Sequence, residues 1–525
     1  MRKENTVTRQ NNLRRGLVYL LSFGIPAGVL LCLYMKMGMA PWGDRTILIS
    51  DMADQYVEFF CALKRGDLFF SWSKTMGTSY IGVFSYYVSS PLSLLTLLAP
   101  NENMPVALMF LTVLKLGLAG LSYAVFSTRK FPSAEITTVL CASCYGLMSY
   151  NIAFSLSIMW LDGVIWLPLI LLALERVLEG RGAGPFIAAL TVCFVSTWYI
   201  SYMTGIFCCV YLTVRLITLQ PDRDALLQVF KRFFGGAACA LGLTAWLWLP
   251  TFLAMFYGKF QESGWHFSRM VYGPLSGIFS QLQPGQLATV TSSGLPNIFC
   301  GTLVVILCVI YFFLRAVPLR EMLASAGALA FLFLSLWSTV LDRIWHLFKY
   351  PNWFPFRWSF VVSFFLIYLA NRTVPLLLDA LKEEPRPLLA KGLAAAFLLL
   401  TVGELHYNAE TLLNVLDGIF HYQSYGAYWD NYTANAQLTA AAQEDAGGQL
   451  VDLANTDSGG AFCRMNSAED RGHNAPLSFG YPGVTHYSSV YNTEVNDLLH
   501  DLGLAQAWFW CSGYGSTPVT DAVFN

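Results

Sequence analysis

The 525 residues are 55% hydrophobic and only 12% charged, a composition that excludes an ordinary soluble domain, because soluble proteins carry about 25% charged residues. The formal net charge of -1 gives no support for nucleic-acid binding. The composition predicts a polytopic membrane protein, in which the distribution of charge along the chain is more informative than its sum.

The first apolar run predicts a membrane span that is retained in the mature protein. A polar, basic N-terminus leads directly into Leu17–Met37. This run is too long for a signal-peptide core and has no small-residue cleavage site. We therefore expect the N-terminus to be cytoplasmic.

An acidic segment follows this span. Asp51, Asp54 and Glu58 are spaced i, i+3, i+7, so a helix would carry all of them on one face. The spacing is typical of a carboxylate ridge at the boundary between lipid and water. A helix N-terminus with Ser50 or Asp51 as its cap explains the same acids equally well.

Hydrophobic runs of membrane-spanning length recur along the chain and predict about 11 transmembrane helices. We place them near 17–37, 106–127, 134–152, 159–178, 185–200, 202–219, 233–254, 298–315, 322–341, 358–378 and 388–406. The fifth and sixth come from one run that we divide at Trp198–Tyr202, since a single helix of that length would overshoot the bilayer. This arrangement puts the short loops rich in Lys and Arg on the N-terminal side, as the positive-inside rule requires, and sends the C-terminus outside.

Three large loops and the C-terminal part are then expected on the outer face. The loop 38–105 carries the acids and a predicted interfacial helix over Val83–Ala99. The loop 256–297 carries His266 and Arg269, and the loop 342–358 carries Lys349 and Arg357. Cationic groups and carboxylates are therefore both predicted on the outer side.

Four ionisable residues fall inside predicted spans: Lys115, Asp162, Arg372 and Glu404. Ionisable groups at membrane depth are costly and tend to have a partner or a role. Lys115 is nearest to mid-span, so we expect a carboxylate or a carbonyl beside it, whereas Arg372 is expected to snorkel to the cytoplasmic side. A polar contact between packed helices is the simpler explanation for each.

The chain becomes polar from Tyr407 onward. Residues 1–406 are predicted to form the transmembrane domain, and 407–525 an α/β extracytoplasmic domain. Cys463 and Cys511 would form one disulfide there or remain free. Cys141 and Cys144 match C-x-x-C in mid-span, which is a weak metal or redox signal.

The outer residues suit group transfer from a lipid phosphate. Asp51 or Asp54 would accept the proton of an acceptor hydroxyl, and cations would hold the leaving phosphate. Arg357 is the first candidate for the phosphate because of its bidentate guanidinium, followed by Lys349, Arg269 and His266. Supporting polar groups are expected from Gln55, Tyr56, Glu58, Asp162 and Glu404. We expect no cofactor; carboxylates alone do not establish a Mg²⁺ or Mn²⁺ ion between Asp51 and Asp54.

Several motifs together resemble the bacterial YfhO-like membrane proteins, which are placed among the GT-C glycosyltransferases. The segments that carry the resemblance are Asp51–Tyr56, Gly77, Tyr86–Pro91, Met159–Asp162, Tyr199–Met203, Leu295–Gly301, Tyr350–Arg357, Phe479–Gly483 and Gly515–Pro518. The resemblance covers nearly the whole chain. Family members continue well beyond the element that begins at Gly515, so it also implies that the outer domain here is incomplete.

The resemblance implies a GT-C-like fold in a bacterial plasma membrane and an inverting hexosyl transfer on its outer face. The donor would be a polyprenyl-phosphate-linked sugar, and the acceptor a cell-surface glycopolymer such as a teichoic-acid-type polymer. The first outer loop of GT-C enzymes supplies the catalytic acid, which here falls on Asp51 or Asp54. Asp51 ranks first because it is nearer to the membrane exit.

Two other classes of protein fit the same composition. A transporter or lipid flippase would also need many spans and intramembrane charges, but it predicts charges on both sides of the midplane. A non-catalytic membrane assembly factor would tolerate the loss of Asp51 and Asp54, which a transferase would not.

Overall fold

Helices dominate the part of the chain that the structure describes. The computed structural model describes residues 2–131, 135–256, 270–286, 290–291, 294–349, 351, 353–380, 387–433, 474–488, 490, 492–501, 505–507 and 510–511. The chain divides into two compact units. The first comprises Met1–Tyr34, Thr112–Leu243 and His266–Ile419, and the second comprises Met35–Leu111, Thr244–Trp265 and Phe420–Asn525.

Eight helices within the described ranges are long and apolar enough to cross a membrane. They are Leu13–Lys36, Asn101–Lys130, Glu135–Leu156, Ile158–Leu178, Trp198–Leu219, Arg223–Leu243, Leu319–Trp337 and Phe360–Asp379. A further pair, Ile81–Val88 with Pro91–Leu98, passes the same criterion together but is bent by 90°. The predicted polytopic, mostly helical architecture is confirmed, but the count of about 11 spans is not.

Three predicted spans correspond to shorter helices. The runs at 185–200, 233–254 and 298–315 contain the helices Gly184–Ser196, Ala245–Phe256 and Thr302–Tyr311. The predicted division of the long run is confirmed at Thr197, whose φ of -166° and ψ of 83° end one helix and precede the next. The span predicted over 233–254 is wrong as one helix, because Arg223–Leu243 ends before Thr244 and a second helix begins at Ala245.

The predicted interfacial helix over Val83–Ala99 is not continuous. A helical segment ends at Val88, and a 3₁₀-helix runs over Pro91–Leu98. The Ser90 hydroxyl accepts a hydrogen bond from the Leu92 amide at 3.2 Å, and a proline at the first helical position fits a helix start. The second segment exposes Leu94, Leu95, Leu97 and Leu98, the last by 85%.

The first unit is a helical assembly with an aromatic core. Its helices are Glu135–Gly146, Ser149–Ala153, Leu161–Leu178, Gly184–Ser196, Trp198–Leu219, Arg223–Leu243, Leu275–Ser280, Thr302–Tyr311, Leu319–Trp337, Thr339–Trp345 and Phe360–Ala380. The helices Arg2–Lys36, Met104–Lys130 and Pro387–Phe420 have residues in both units. In the core, the Phe364 ring lies 5.7 Å from the Tyr123 ring and 5.8 Å from the Tyr145 ring, which are distances favourable for edge-to-face packing.

Lys115 forms a buried ion pair with Asp162. The Lys115 ammonium donates to Asp162 Oδ2 at 2.5 Å and to the Ile158 carbonyl at 3.0 Å, and both side chains are 1% exposed. Both expected kinds of partner are therefore present. Asp162 was expected to support the chemistry, and its contact with Lys115 gives it a structural role that needs no ligand.

The substitution Lys115→Met is expected to destabilise the folded protein by about 3–5 kcal/mol, because Asp162 would lose the cation that compensates its buried charge. The double variant Lys115→Met/Asp162→Leu should recover most of this loss. Unfolding in detergent, followed by tryptophan fluorescence, measures both. A double variant as unstable as the single one would contradict the explanation.

Two other intramembrane residues also have partners in the first unit. Arg372 Nε lies 3.1 Å from Glu321 Oε1, so the expected snorkelling arginine is instead paired with a carboxylate. Glu404 accepts hydrogen bonds from the amide of Thr302, at 2.9 Å, and from its hydroxyl. Glu404 therefore satisfies the start of the helix Thr302–Tyr311.

The second unit contains short helices and two small antiparallel sheets. Its helical segments are Met52–Tyr56 (a π-helix), Val57–Leu63, Ile81–Val83, Phe84–Val88 (a π-helix), Pro91–Leu98, Asn101–Asn103, Ala245–Phe256, Ala475–Phe479 and Thr493–Asp501. Strands β1 (Phe70–Ser71) and β2 (Thr78–Ser79) pair with each other. Strands β3 (His486–Tyr487), β4 (Ala505–Ala507) and β5 (Trp510–Cys511) form a sheet in the order β3-β5-β4.

The predicted C-terminal domain over 407–525 stays a prediction. The helix Pro387–Phe420 continues through the expected boundary at 406. Residues 434–473 and 512–525 lie outside the described residues, and so does Cys463 of the predicted disulfide. Cys141 and Cys144 are both buried free thiols, which fits small hydrophobic side chains in a packed core.

Candidate active site

The acidic segment forms a π-helix that continues into an α-helix. Met52–Tyr56 is π-helical and Val57–Leu63 is α-helical. Asp51 precedes the π-helix, but its side chain makes no capping hydrogen bond, so the explanation of Asp51 as a cap is wrong. Single π-helical turns are rare and occur frequently at functional sites.

The Asp51 carboxylate is held by two nearby side chains. Gln55 Nε2 donates to Asp51 Oδ1 at 2.9 Å, and the Tyr56 hydroxyl donates to Asp51 Oδ2 at 3.3 Å. Gln55 and Tyr56 are buried, whereas Asp51 is partly exposed. The two residues expected to support the acid therefore contact it directly, and they orient both of its oxygens.

Asn474 and Tyr487 join this segment from a distant part of the sequence. Asn474 Nδ2 donates to the Asp54 carbonyl at 3.1 Å and to the Tyr487 carbonyl at 2.9 Å, while the Tyr487 amide donates to Asn474 Oδ1 at 3.0 Å. Burial, together with the charges of Asp51 and Asp54, raises the pKa of Tyr487 to about 12. Sequence reasoning missed both residues, because no local pattern connects positions more than 400 residues apart.

Glu58 is the acid of this segment whose environment favours the protonated form. Burial raises its pKa to about 8, and the negative charge of Asp54 adds to this effect. Its Oε2 atom has no hydrogen-bond partner in the described part of the chain. The three acids Asp51, Asp54 and Glu58 are therefore not equivalent. Glu58, one helical turn beyond Asp54, favours its neutral form.

The stability of the protein is expected to fall as the pH rises through about 8, because ionising Glu58 would place a charge in a poorly solvated site. A raised pKa in the folded state means that the folded protein holds this proton more tightly than the unfolded chain, so the stabilisation is complete below the ordinary carboxyl pKa. Glu58→Gln should remove this dependence and melt a few °C above the wild type at pH 9. Thermal unfolding at several pH values measures it, with Glu494→Gln as the exposed control.

Lys74 and His486 are both buried in the second unit. Lys74 Nζ donates to the Ser79 carbonyl at 2.9 Å, and burial lowers the Lys74 pKa to about 8. Burial and the charge of Lys74 lower the pKa of His486 to about 3, so this imidazole is neutral. Both ring nitrogens of His486 are without hydrogen-bond partners among the described residues.

Arg357 lies among aromatic rings in the first unit. Its guanidinium is 4.9 Å from the centroid of Trp160 and 5.6 Å from that of Tyr199. Arg357 Nε donates to the Phe354 carbonyl at 3.1 Å, and Nη2 donates to the Trp353 carbonyl at 2.7 Å. These contacts position a permanent cation against rings that offer flat surfaces to a ligand.

The other predicted phosphate ligands are only partly described. Lys349 follows the helix Thr339–Trp345 in the first unit, where its amide donates to the His346 carbonyl at 3.1 Å. His266 and Arg269 lie outside the described residues. No group of three His, Cys, Asp or Glu side chains that could hold a metal ion is found in the described ranges.

An apolar cavity of about 510 Å³ lies in the second unit. Its lining residues are Ala40, Pro41, Gly43, Ala99, Pro100, Asn103, Val106, Ala107, Phe110 and Tyr425. The polar groups at its wall pair with each other, since the Tyr425 hydroxyl donates to Asn103 Oδ1 at 2.6 Å. Lys64 lies at the border, where its ammonium donates to the Ala99 carbonyl at 2.5 Å.

Two individual proteins resemble parts of this chain. The uncharacterized protein YfhO of Bacillus subtilis (strain 168) is 28% identical over 90 residues, which are 17% of this chain and 10% of that protein. The solved structure of the arabinofuranosyltransferase AftD from Mycobacteria matches with a TM-score of 0.45 and 14% identity, over 92% of this chain and 33% of that one. The chain thus spans a minor part of either relative, and structural similarity this low carries no argument about activity.

Family membership depends on a match along almost the whole sequence. The family model described as bacterial membrane protein YfhO matches residues 22–387 and 387–525. These ranges include the acidic segment, Arg357 and both compact units. This chain therefore belongs to the YfhO family of bacterial membrane proteins.

Proposed function

We propose that this protein is a membrane glycosyltransferase that moves a sugar from a polyprenyl-phosphate-linked donor to an extracytoplasmic acceptor. The observation that carries the proposal is the acidic segment after the first span, where Gln55 and Tyr56 orient the Asp51 carboxylate. Asp51 accepts the proton of an acceptor hydroxyl. The hydroxyl oxygen forms a bond to the anomeric carbon, whose bond to the phosphate oxygen breaks, and the electron pair leaves with the polyprenyl phosphate.

Arg357 binds the leaving phosphate in this proposal. A guanidinium matches two phosphate oxygens at once, and its charge stabilises the anion that forms as the glycosidic bond breaks. Lys349, Arg269 and His266 are the further candidates for this role. Because cationic side chains neutralise the phosphate, the reaction as proposed needs no metal ion.

The apolar cavity of the second unit suits a hydrocarbon chain. Its size falls in the range of about 300–1,000 Å³ that is typical of small-molecule sites. Most of the lining residues lie just after the first candidate span or in the first turns of Asn101–Lys130, both of which are candidate membrane spans. Lys64 adds a positive charge at the border.

The proposed reaction takes place at the outer face of a bacterial plasma membrane. The distribution of Lys and Arg between short loops supports a cytoplasmic N-terminus and, with it, an acidic segment on the outer side. A cell-surface glycopolymer of the teichoic-acid type is the proposed acceptor. This choice follows from the family resemblance and from the outer location of the acids.

Sugar transfer by the purified chain in liposomes tests the proposal. The donors are radiolabelled polyprenyl-phosphate-glucose, -galactose and -mannose, and the acceptor is a purified cell-wall glycopolymer. We expect label to move to the polymer with at least one donor. If lipid crosses the bilayer and no sugar is transferred, the flippase alternative holds; if neither happens with this chain or with a longer homologue, the assembly factor remains.

A further inference from the structure

A buried aspartate in the first unit organises the segment that leads to Arg357. Asp342 is fully buried in the helix Thr339–Trp345. Its Oδ2 accepts from the Tyr272 hydroxyl at 2.6 Å, and its Oδ1 accepts from Trp358 Nε1 at 2.7 Å. Each oxygen of the buried Asp342 carboxylate therefore has a hydrogen-bond donor from this chain, and Asp342 needs no ligand.

The neighbouring His346 has a defined tautomer. Its Nδ1 lies 2.9 Å from the backbone carbonyl oxygen of Asp342 and 3.4 Å from the Asp342 carboxylate. A carbonyl oxygen can only accept, so Nδ1 carries the hydrogen and the neutral ring presents a lone pair at Nε2. Burial lowers the pKa of His346; the charge of Asp342 opposes this effect and that of Arg357 adds to it, so the net direction favours the neutral ring.

The lone pair at Nε2 has no donor in the described part of the chain. His346 is only 2% exposed, so bulk solvent does not reach this nitrogen. A buried polar atom without a partner costs about 1–3 kcal/mol, and a histidine with a purely structural role would normally satisfy both nitrogens. Among the residues that the structure describes, no donor therefore satisfies His346 Nε2.

Further features converge on the same place. The Tyr199 ring lies 6.4 Å from the His346 ring and also carries the Arg357 guanidinium at 5.6 Å. Trp160, the other ring under Arg357, has an indole N–H without a hydrogen-bond partner among the described residues. Leu347 and Phe348, directly after His346, have φ values of 55° and 62°, a conformation that side-chain-bearing residues rarely adopt.

We propose that His346, Trp160 and Arg357 form the subsite for the sugar-phosphate head of the donor, in which His346 Nε2 accepts a hydrogen bond from a sugar hydroxyl. The Trp160 N–H donates to an oxygen of the same head group, and Arg357 holds the phosphate. Entry of the sugar displaces the side chains that now cover Nε2. This inference rests on the proposed function, and it adds the group that recognises the sugar as distinct from the lipid phosphate.

Binding to two lipids in nanodiscs tests the subsite. The probes are unsubstituted polyprenyl phosphate and the polyprenyl-phosphate-sugar on which the wild type is most active, or the glucose form if none is transferred. His346→Phe removes the acceptor and should weaken binding of the sugar-bearing lipid about tenfold, while leaving the unsubstituted lipid unchanged. His346→Gln, whose amide oxygen can replace Nε2 as an acceptor, should stay within about threefold of the wild type. His406→Phe, on a partly exposed histidine of the same unit that lies 3.7 Å from Glu410, is the matched control.

The outcomes separate the two proposals. Unchanged affinity of His346→Phe for the sugar-bearing lipid, or an equal loss for both lipids, would overturn the subsite. The subsite would also be overturned if His346→Gln elutes as a folded protein but loses affinity for the sugar-bearing lipid. Loss of a hydrogen-bond acceptor would not then explain the weaker binding. Sugar-selective binding without transfer, by this chain and by a longer homologue, would leave the subsite standing and overturn the proposed glycosyltransferase activity.

Discussion

Replacing Asp51 with asparagine is expected to lower the rate of sugar transfer at least about 100-fold, because general-base catalysis contributes about 10²–10⁴-fold and an amide cannot accept the proton. The asparagine can still pair with Gln55 and Tyr56, so the local structure should survive. Single-turnover transfer from the radiolabelled donor measures the effect. Affinity for unsubstituted polyprenyl phosphate should remain close to that of the wild type.

Two further variants test which aspartate is the general base. Asp54→Asn changes the second acid of the same segment, and Asp497→Asn is the control, since Asp497 is an exposed carboxylate of the second unit. We expect Asp497→Asn to behave as the wild type. Full transfer by Asp51→Asn would exclude Asp51 as the base, and loss of transfer in Asp54→Asn alone would move that role to Asp54.

Arg357→Ala is expected to weaken binding of polyprenyl phosphate about 10–100-fold, as expected for the loss of a charged hydrogen-bonding group worth about 1.5–3 kcal/mol. Arg357→Lys should recover only part of the affinity. An ammonium retains the charge but not the planar fork that lies against Trp160 and Tyr199. Isothermal titration in nanodiscs gives the dissociation constants.

The comparison with polyprenol, which lacks the phosphate, makes this prediction specific. Loss of the Arg357 cation should reduce the affinity difference between polyprenyl phosphate and polyprenol. General damage to the fold would instead weaken the binding of both lipids. Arg181→Gln is the control, because Arg181 is 62% exposed and pairs with Glu179 at 3.2 Å. Unchanged affinity of Arg357→Ala for the phosphate lipid would remove Arg357 from the site.

Local patterns in the sequence identified most of the candidate membrane spans, although not their number. A bilayer requires each spanning segment to be apolar and to satisfy its own backbone, so a hydrophobic run identifies most spans without knowledge of their neighbours. Span length and the polar, aromatic residues Trp198–Tyr202 predicted a division of the long run, and the break lies directly before them, at Thr197. The break at Thr244 was missed because it interrupts a run that is apolar nearly throughout. The break after Val88 was also missed, although Ser89, Ser90 and Pro91 stand there in the sequence.

Contacts between distant residues could not be predicted in the same way. The need for a partner to Lys115 followed from the cost of a charge at membrane depth, but the choice of Asp162 depends on how two helices pack. The same limit applies to the residues proposed to bind the sugar donor. Arg357 was identified by its charge and its loop, whereas His346 was passed over because its tautomer is set by a carbonyl that only the folded helix brings to it.

The sequence by itself determined that this is a polytopic membrane protein, where most of its helices lie, and which segment carries the acids, because hydropathy and charge act over a few turns of chain. The tertiary structure decided which groups those acids and cations meet. Asn474 and Tyr487 are more than 400 residues from the acidic segment in sequence and meet it only in the folded protein. Trp160 and Tyr199 belong to separate helical segments, and both flank Arg357. The physical reason is that pKa values, tautomers and hydrogen-bond partners depend on distances in space, which a linear pattern does not contain.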